Sequence, residues 1–193
     1  MMAVFDAERR DQAEEIMARY PAGRQRSAVI PLLYLAQSVE GHVTRDALRE
    51  VADLLGIRTA EVEAVATFYT MLRLRPTGEH VVSVCTNLSC SLRGAREVFE
   101  AAHEAAGVPS GGELSEDGLI TLREEECLGA CEFAPVVQIN AVNYDLVTPE
   151  RIAELIGGLR ANEVPPPSRG RPVRSFKEAS RILAGLETSE ASA

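Results

Sequence analysis

The chain has 193 residues, 46% of them hydrophobic, with 29 acidic against 20 basic side chains and a net charge of −9. That is enough for one or two folded domains, too apolar for a disordered chain, and too acidic for a general nucleic-acid binder, which needs a basic face. The longest uncharged apolar run, Ala28 to Ala36, falls far short of the ~20 residues that span a bilayer, and charge from Asp6 onward leaves no apolar secretory signal, so the expected location is cytoplasmic.

Residues 1–76 read as four short helices. Phe5 to Arg19 is rich in helix formers and stops at Tyr20-Pro21-Ala22-Gly23. A second helix is expected from Ser27, as cap, to Gly41, with Pro31 near enough to the start to be tolerated. A third runs from Thr44 to Gly56 with Leu48, Val51, Ala52, Leu54 and Leu55 at helical spacing. A fourth starts at Thr59 as cap, where a capping box would want Glu at 62 and finds Val62. Its stripe is Val62, Val65, Ala66, Phe68 and Tyr69, and the last two are expected in the core.

Beyond Pro76-Thr77-Gly78, His80 to Cys85 is a β-branched strand candidate. Cys90 to Gly107 reads as one helix with Leu92, Ala95, Val98, Phe99 and Ala102 on its apolar side. A loop, a strand from Leu119, the turn CLGAC, a hairpin from Val136-VQI and Val142-NYDLV, and a helix from Pro149 complete the order strand, helix, strand, strand, strand, helix. That order is a thioredoxin-like plan. Pro135 is compatible with either peptide isomer. Residues 162–193 begin as a Pro-rich extended arm and end in an amphipathic piece, Phe176-KEASRILAGL, with Phe176, Ala179, Ile182, Leu183 and Leu186 on one face.

All four cysteines lie in the middle segment: Cys85 and Cys90, then Cys127 and Cys131. Residues 77–160 also carry 14 acidic and 5 basic side chains, net −9. In a cytosolic chain such pairs point to metal rather than disulfides. Four thiolates suit a [2Fe–2S] cluster and equally a structural zinc, and a redox dithiol is the third possibility. The pairs are wider than the C-x2-C of zinc knuckles, and two separated pairs suit two irons. Small loop residues, Thr86 to Ser89 and Leu128 to Ala130, could offer backbone N–H groups to sulfur, with Gly129 allowing close approach. Glu124, Glu125, Glu126 and Glu132 flank the second pair. As negative charges they would oppose reduction and hold a cluster near the ~−400 mV of plant-type ferredoxins, although a plain solvated edge is the simpler use of such a run.

The segments VCTNLSCSLRGA, ECLGACEFAPVVQIN and YDLVTPERI resemble the thioredoxin-like [2Fe–2S] ferredoxin family, and IPLLYLAQSVEGHVTRDALREVADLLGI with VEAVATFYTML resembles the helical part of one branch, the 24 kDa-type subunit of NADH-quinone oxidoreductase, respiratory complex I. The resemblance covers roughly Tyr20 to Leu159. It implies an α+β chain with an N-terminal helical bundle (1–76) and a thioredoxin-like [2Fe–2S] domain (77–161), while the extended C-terminal arm (162–193) lies outside the matching part. It implies one cluster, with Cys85 and Cys90 on one iron and Cys127 and Cys131 on the other. It implies an electron-transfer subunit beside a flavoprotein that binds NADH and FMN, with other peripheral-arm subunits, no direct membrane insertion, and a place on the inner face of the cell membrane through the complex.

Other chemistries are poorly served. His42, His80 and His103 are not paired in sequence with any cysteine, Ser83, Ser89 and Ser91 have no G-x-S-x-G elbow, and no G-x-G-x-x-G or Walker pattern appears. No catalytic residue is therefore expected in this chain. The equivalent subunit of an NAD-linked hydrogenase or formate dehydrogenase, and a zinc-stabilised interaction module, are the competing readings.

Overall fold

The computed structural model describes residues 4–186. The described residues divide into two compact units, one formed by residues 4–76 with 177–186 and the other by Thr77–Phe176.

The first unit is helical. Helix α1 (Ala7–Ala18) starts at Asp6, whose carboxylate accepts from the Arg9 N–H at 3.0 Å. The second helix does not begin at Ser27. A 3-10 turn, Gln25–Ala28, leads into α2 (Val29–Glu40), which has no side-chain cap. Helix α3 (Arg45–Leu55) is capped by Thr44, whose hydroxyl accepts from Ala47 N–H at 3.2 Å, and stops at Gly56. Helix α4 (Thr59–Phe68) is capped one residue before Thr59: Glu61, three residues beyond Arg58, accepts from the Arg58 backbone N–H at 3.2 Å. Helix α4 ends at Phe68, where Tyr69 turns into extended backbone. Phe68 is therefore 76% exposed and not a core residue, while Tyr69 packs partly against the core. Phe5, Ile16, Leu32, Leu33, Leu35 and Val51 form that core.

Helix α8 (Phe176–Leu183) supplies the last face of this unit. Its buried face differs from the expected one. Ala179 and Ser180 turn inward while Ile182 and Leu183 are largely exposed. The cause is polar: the buried Gln37 amide donates to Ser180 Oγ at 3.1 Å and to Met71 O at 3.2 Å, and its oxygen accepts from Arg73 N–H at 2.7 Å. A fully buried amide must satisfy both ends, and this requirement sets the rotation of α8.

The second unit is built on a four-stranded sheet of order β2-β1-β3-β4. The strands are β1 (His80–Cys85), β2 (Ile120–Glu125), β3 (Val137–Ile139) and β4 (Val142–Tyr144). Strand β1 is parallel to β2 and antiparallel to β3, with Cys85 opposite Glu125 and Val84 opposite Val137. The β3–β4 hairpin turns on Asn140 and Ala141, both at positive φ, as the twist-matched two-residue turn requires. The expected single helix from Cys90 is two: α5 (Leu88–Ser91) and α6 (Ala95–Ala106), separated at Gly94, whose φ of 90° only glycine adopts freely. Leu92 falls in the break and is 79% exposed rather than on an apolar face. Helix α7 (Pro149–Ala161) is capped by Thr148 and buries Ile152, Leu155, Ile156 and Leu159.

Of the stretch 162–193, expected as one separate arm, the described residues 162–176 belong to the second unit and 177–186 to the first, and 187–193 lie outside the described residues. Its Pro-rich part binds back on the second unit: Tyr144 donates to Pro165 O at 2.7 Å, Asp145 N–H to Ser168 Oγ at 3.1 Å, and Asn140 Nδ2 to Arg174 O at 2.7 Å.

Asp117 ties three elements of this unit. It accepts from Ser115 Oγ and from Leu119 N–H at 3.0 Å, and it pairs with Arg160, which also donates to Ala105 O and Ala106 O at the end of α6. The Ser115 hydroxyl first, then the Leu119 N–H and Arg160, hold this carboxyl down to about 2. A folded-state value below the unfolded one stabilises above the unfolded value and is lost as pH falls through the folded one. Acid titration of unfolding between pH ~4 and ~2 should show a loss of stability that Asp117→Asn lacks.

Candidate metal centre

The four cysteines sit at one end of the sheet. Cys85 closes β1, where its backbone N–H donates to Val136 O at 3.1 Å. Cys90 lies in α5, a single turn capped by Asn87, whose side chain accepts from Leu88 N–H at 2.6 Å. Cys127 and Cys131 follow β2, in the loop that leads into a short 3-10 turn (Cys131–Phe133) and then, through a cis Ala134-Pro135 peptide, into β3. Parallel β1 and β2 both point their C-terminal ends at this spot, which is why residues 42 positions apart in sequence, Cys85 and Cys127, reach one site.

The two pairs differ in setting. Cys85 and Cys90 are 3% and 2% exposed and are packed with Ala95, Ala130, Ala134 and Val136, whereas Cys127 and Cys131 are exposed. Burial pushes the Cys90 thiol up to about 11, the Val136 N–H pulls it down, and Cys85 and Cys131 push it up again. These influences mark Cys85, Cys90 and Cys131 as electrostatic neighbours. The Gly129 N–H donates to Cys127 Sγ at 3.4 Å, and Gly129 takes φ +69 to do so. Within Thr86–Ser89 the Thr86 N–H donates to Glu125 O and the Leu88 N–H to Asn87 Oδ1, while Val136 offers a backbone N–H to Cys90.

The residues present fit an iron–sulfur cluster. Small side chains leave room around the buried sulfurs, backbone N–H groups face two of the four, and the exposed pair brings an edge of the site to the surface.

Around the site Glu124, Glu126 and Glu132 are exposed, while Glu125 is half-buried and paired with Arg123 at 3.3 Å. The histidines lie elsewhere. His80 is buried against Asn140 Nδ2 at 3.2 Å, His42 sits near Glu40 O, and His103 faces the Phe99 ring. Sequence reasoning missed three contributors. Arg93 donates from Nε to Ala134 O at 2.8 Å, Val136 serves Cys90, and Phe133 is covered by the Arg169 guanidinium at 4.3 Å. None of these carries a local pattern; each depends on segments that meet only in the fold.

Among the described residues no helix is long and apolar enough to cross a membrane. Residues 13–160 match the family described as thioredoxin-like [2Fe-2S] ferredoxin. The chain is similar to the E-type subunit of the NADH-quinone oxidoreductase of Mycobacterium bovis, 47% identical over 174 residues, covering 90% of this chain and 68% of that protein. It is similar to NADH-quinone oxidoreductase subunit 2 of Thermus thermophilus, 40% identical over 163 residues, covering 84% and 89%. Among solved structures it resembles an NAD+-reducing [NiFe]-hydrogenase in the air-oxidized state, with a TM-score of 0.62 at 22% identity; the match covers 74% of this chain and 24% of that one, and shows likeness of fold. With a family match over residues 13–160 and relatives of this identity, the chain belongs to the thioredoxin-like [2Fe-2S] ferredoxin family.

Proposed function

We propose that the chain is an electron-transfer subunit of an NADH-quinone oxidoreductase. It carries one [2Fe–2S] cluster, with Cys85 and Cys90 on one iron and Cys127 and Cys131 on the other. The observation that carries this reading is the convergence of four cysteines at one sheet end, two buried and two exposed. When bound, the cluster supplies one-electron transfer. The chain's own part is to hold four deprotonated sulfurs, to shield one pair with Ala95, Ala134 and Val136, and to leave the other pair at the surface, where a partner can approach.

NADH and FMN are assigned to a flavoprotein partner, and this chain contributes no catalytic residue. The other partners are further peripheral-arm subunits, and the complex holds the chain at the inner face of the cell membrane. The Mycobacterium bovis and Thermus thermophilus relatives are named as subunits of NADH-quinone oxidoreductase, which supports a place in such a complex. The fold shared with an NAD+-reducing hydrogenase favours, as second reading, the equivalent subunit of an NAD-linked hydrogenase or formate dehydrogenase.

Anaerobically purified protein tests both readings. Two irons and two sulfides per chain, with an EPR signal from one unpaired electron after dithionite, are expected of a [2Fe–2S] centre. Zinc without a visible chromophore, persisting after reconstitution with iron and sulfide, would leave only a structural module. Co-purification with quinone-reducing rather than hydrogen- or formate-oxidising activity separates the first reading from the second.

A further inference from the structure

Five arginines lie between residues 77 and 160, in a segment with 14 carboxylates. Four are matched by those carboxylates: Arg96 by Glu100, Arg123 by Glu113 and Glu125, Arg151 by Glu154, and Arg160 by Asp117. Among the described residues Arg93 forms no such pair. It is exposed, and it lines a cavity of about 480 Å³ together with Gly94, Pro135 and Leu146; Glu97 shares that cavity without pairing with it.

The polar contacts of Arg93 are instead to backbone. Its own N–H donates to Cys90 O at 3.0 Å, and its Nε donates to Ala134 O at 2.8 Å. Arg93 stands three residues after Cys90, and Ala134 stands three residues after Cys131. The side-chain bond therefore spans from the loop of the first cysteine pair to the loop of the second. The segment it holds, Ala134 to Val136, is also the one that presents a backbone N–H to Cys90.

We propose that Arg93 is a positioning residue for the cluster: its guanidinium braces the two cysteine loops together and places an unmatched positive charge on the link between them. This rests on the [2Fe–2S] reading given above. Reduction adds one electron to a site that is already negative, so a fixed cation beside it favours the reduced state. The exposed Glu124, Glu126 and Glu132 act in the opposite direction, and Arg93 offsets part of their effect. A guanidinium suits both tasks, because it cannot lose its proton and its planar fork fixes the direction of the hydrogen bond.

The test compares full-length wild type, Arg93→Gln and Arg93→Lys by redox titration and by the rate at which a chelator bleaches the visible absorption. Arg93→Gln should titrate at a lower potential and bleach on the order of ten-fold faster, as when outer-shell partners of a metal site are removed. Arg93→Lys, which keeps the charge, should return the potential towards wild type. An Arg93→Gln protein with wild-type potential and wild-type bleaching overturns the proposal, as does an Arg93→Lys protein displaced as far as Arg93→Gln. Should Arg93→Gln assemble no cluster, Arg93→Lys decides: a wild-type potential supports the proposal, and a displaced potential or no assembly overturns it. A wild-type chain that assembles no [2Fe–2S] cluster overturns the parent reading itself, whereas a wild-type cluster indifferent to Arg93→Gln overturns only the role of Arg93.

Discussion

Serine in place of Cys90 should remove the wild-type absorption and EPR spectra and drop iron well below two atoms per chain. The loss follows from the site, since thiolates hold the irons of these clusters and an alkoxide is a poor substitute for one in a buried, apolar place. Cys90 is 2% exposed and lies among alanines. Folding of the empty chain is expected to change little, because serine is smaller than cysteine and the Val136 N–H remains at hand as a donor. Cys127→Ser should also lose the normal spectrum, although its sulfur is exposed and supported by the Gly129 N–H. The measurement is iron and sulfide content with dithionite-reduced EPR on both variants. A normal spectrum in either one would refute the ligand role of that cysteine.

Gly78→Ala is expected to be the most damaging single-methyl change in the second unit. A Cβ there would stand 2.3 Å from Leu119 O and 2.7 Å from Ile120 N, which are rigid backbone at the start of β2. The buried Gly78 N–H also donates to Thr121 Oγ1 at 2.8 Å, so the residue cannot move aside without losing a bond. Overpacking of this kind costs about 1–3 kcal/mol, and each kcal/mol lowers Tm by roughly 4–8 °C in a domain of this size. Gly157→Ala is the control. It lies in α7 with nothing within 4 Å of the added methyl, and it should gain about 0.5–1 kcal/mol from helix propensity. Thermal unfolding followed by circular dichroism reads both changes, and a Gly78→Ala chain melting with wild type would show that β1 and β2 can separate at no cost.

Much of this architecture is legible where the signal is local. Thr44 and Gly56 bracket α3, a β-branched run marks β1, and the cysteine pairs mark the candidate site. What escapes the sequence is set by partners far along the chain. Phe68 has the spacing of a core residue, but α4 ends on it and the ring points to solvent. Ile182 and Leu183 look like the buried face of α8 until the Gln37 amide draws Ser180 inward. Leu92 reads as helical because the hydrophobic period continues through Gly94, where the backbone does not. Arg93 has no signature at all, since its partner, Ala134, is 41 residues away.

The Gln37–Ser180 bond has a consequence for biosynthesis. The two residues are 143 positions apart, and a ribosome adding ~5–20 residues per second leaves an interval of roughly 7–30 s between them. For the later part of that time, once the residues up to Pro76 have emerged, these helices carry a buried amide short of one partner and an apolar face not yet covered by Ala184 and Leu186. The sheet-bearing unit is contiguous in the chain and is complete first. The older unit thus waits while the whole sheet-bearing unit is made, and a holdase that shields exposed apolar surface would act on the segment made earliest, not the one made last.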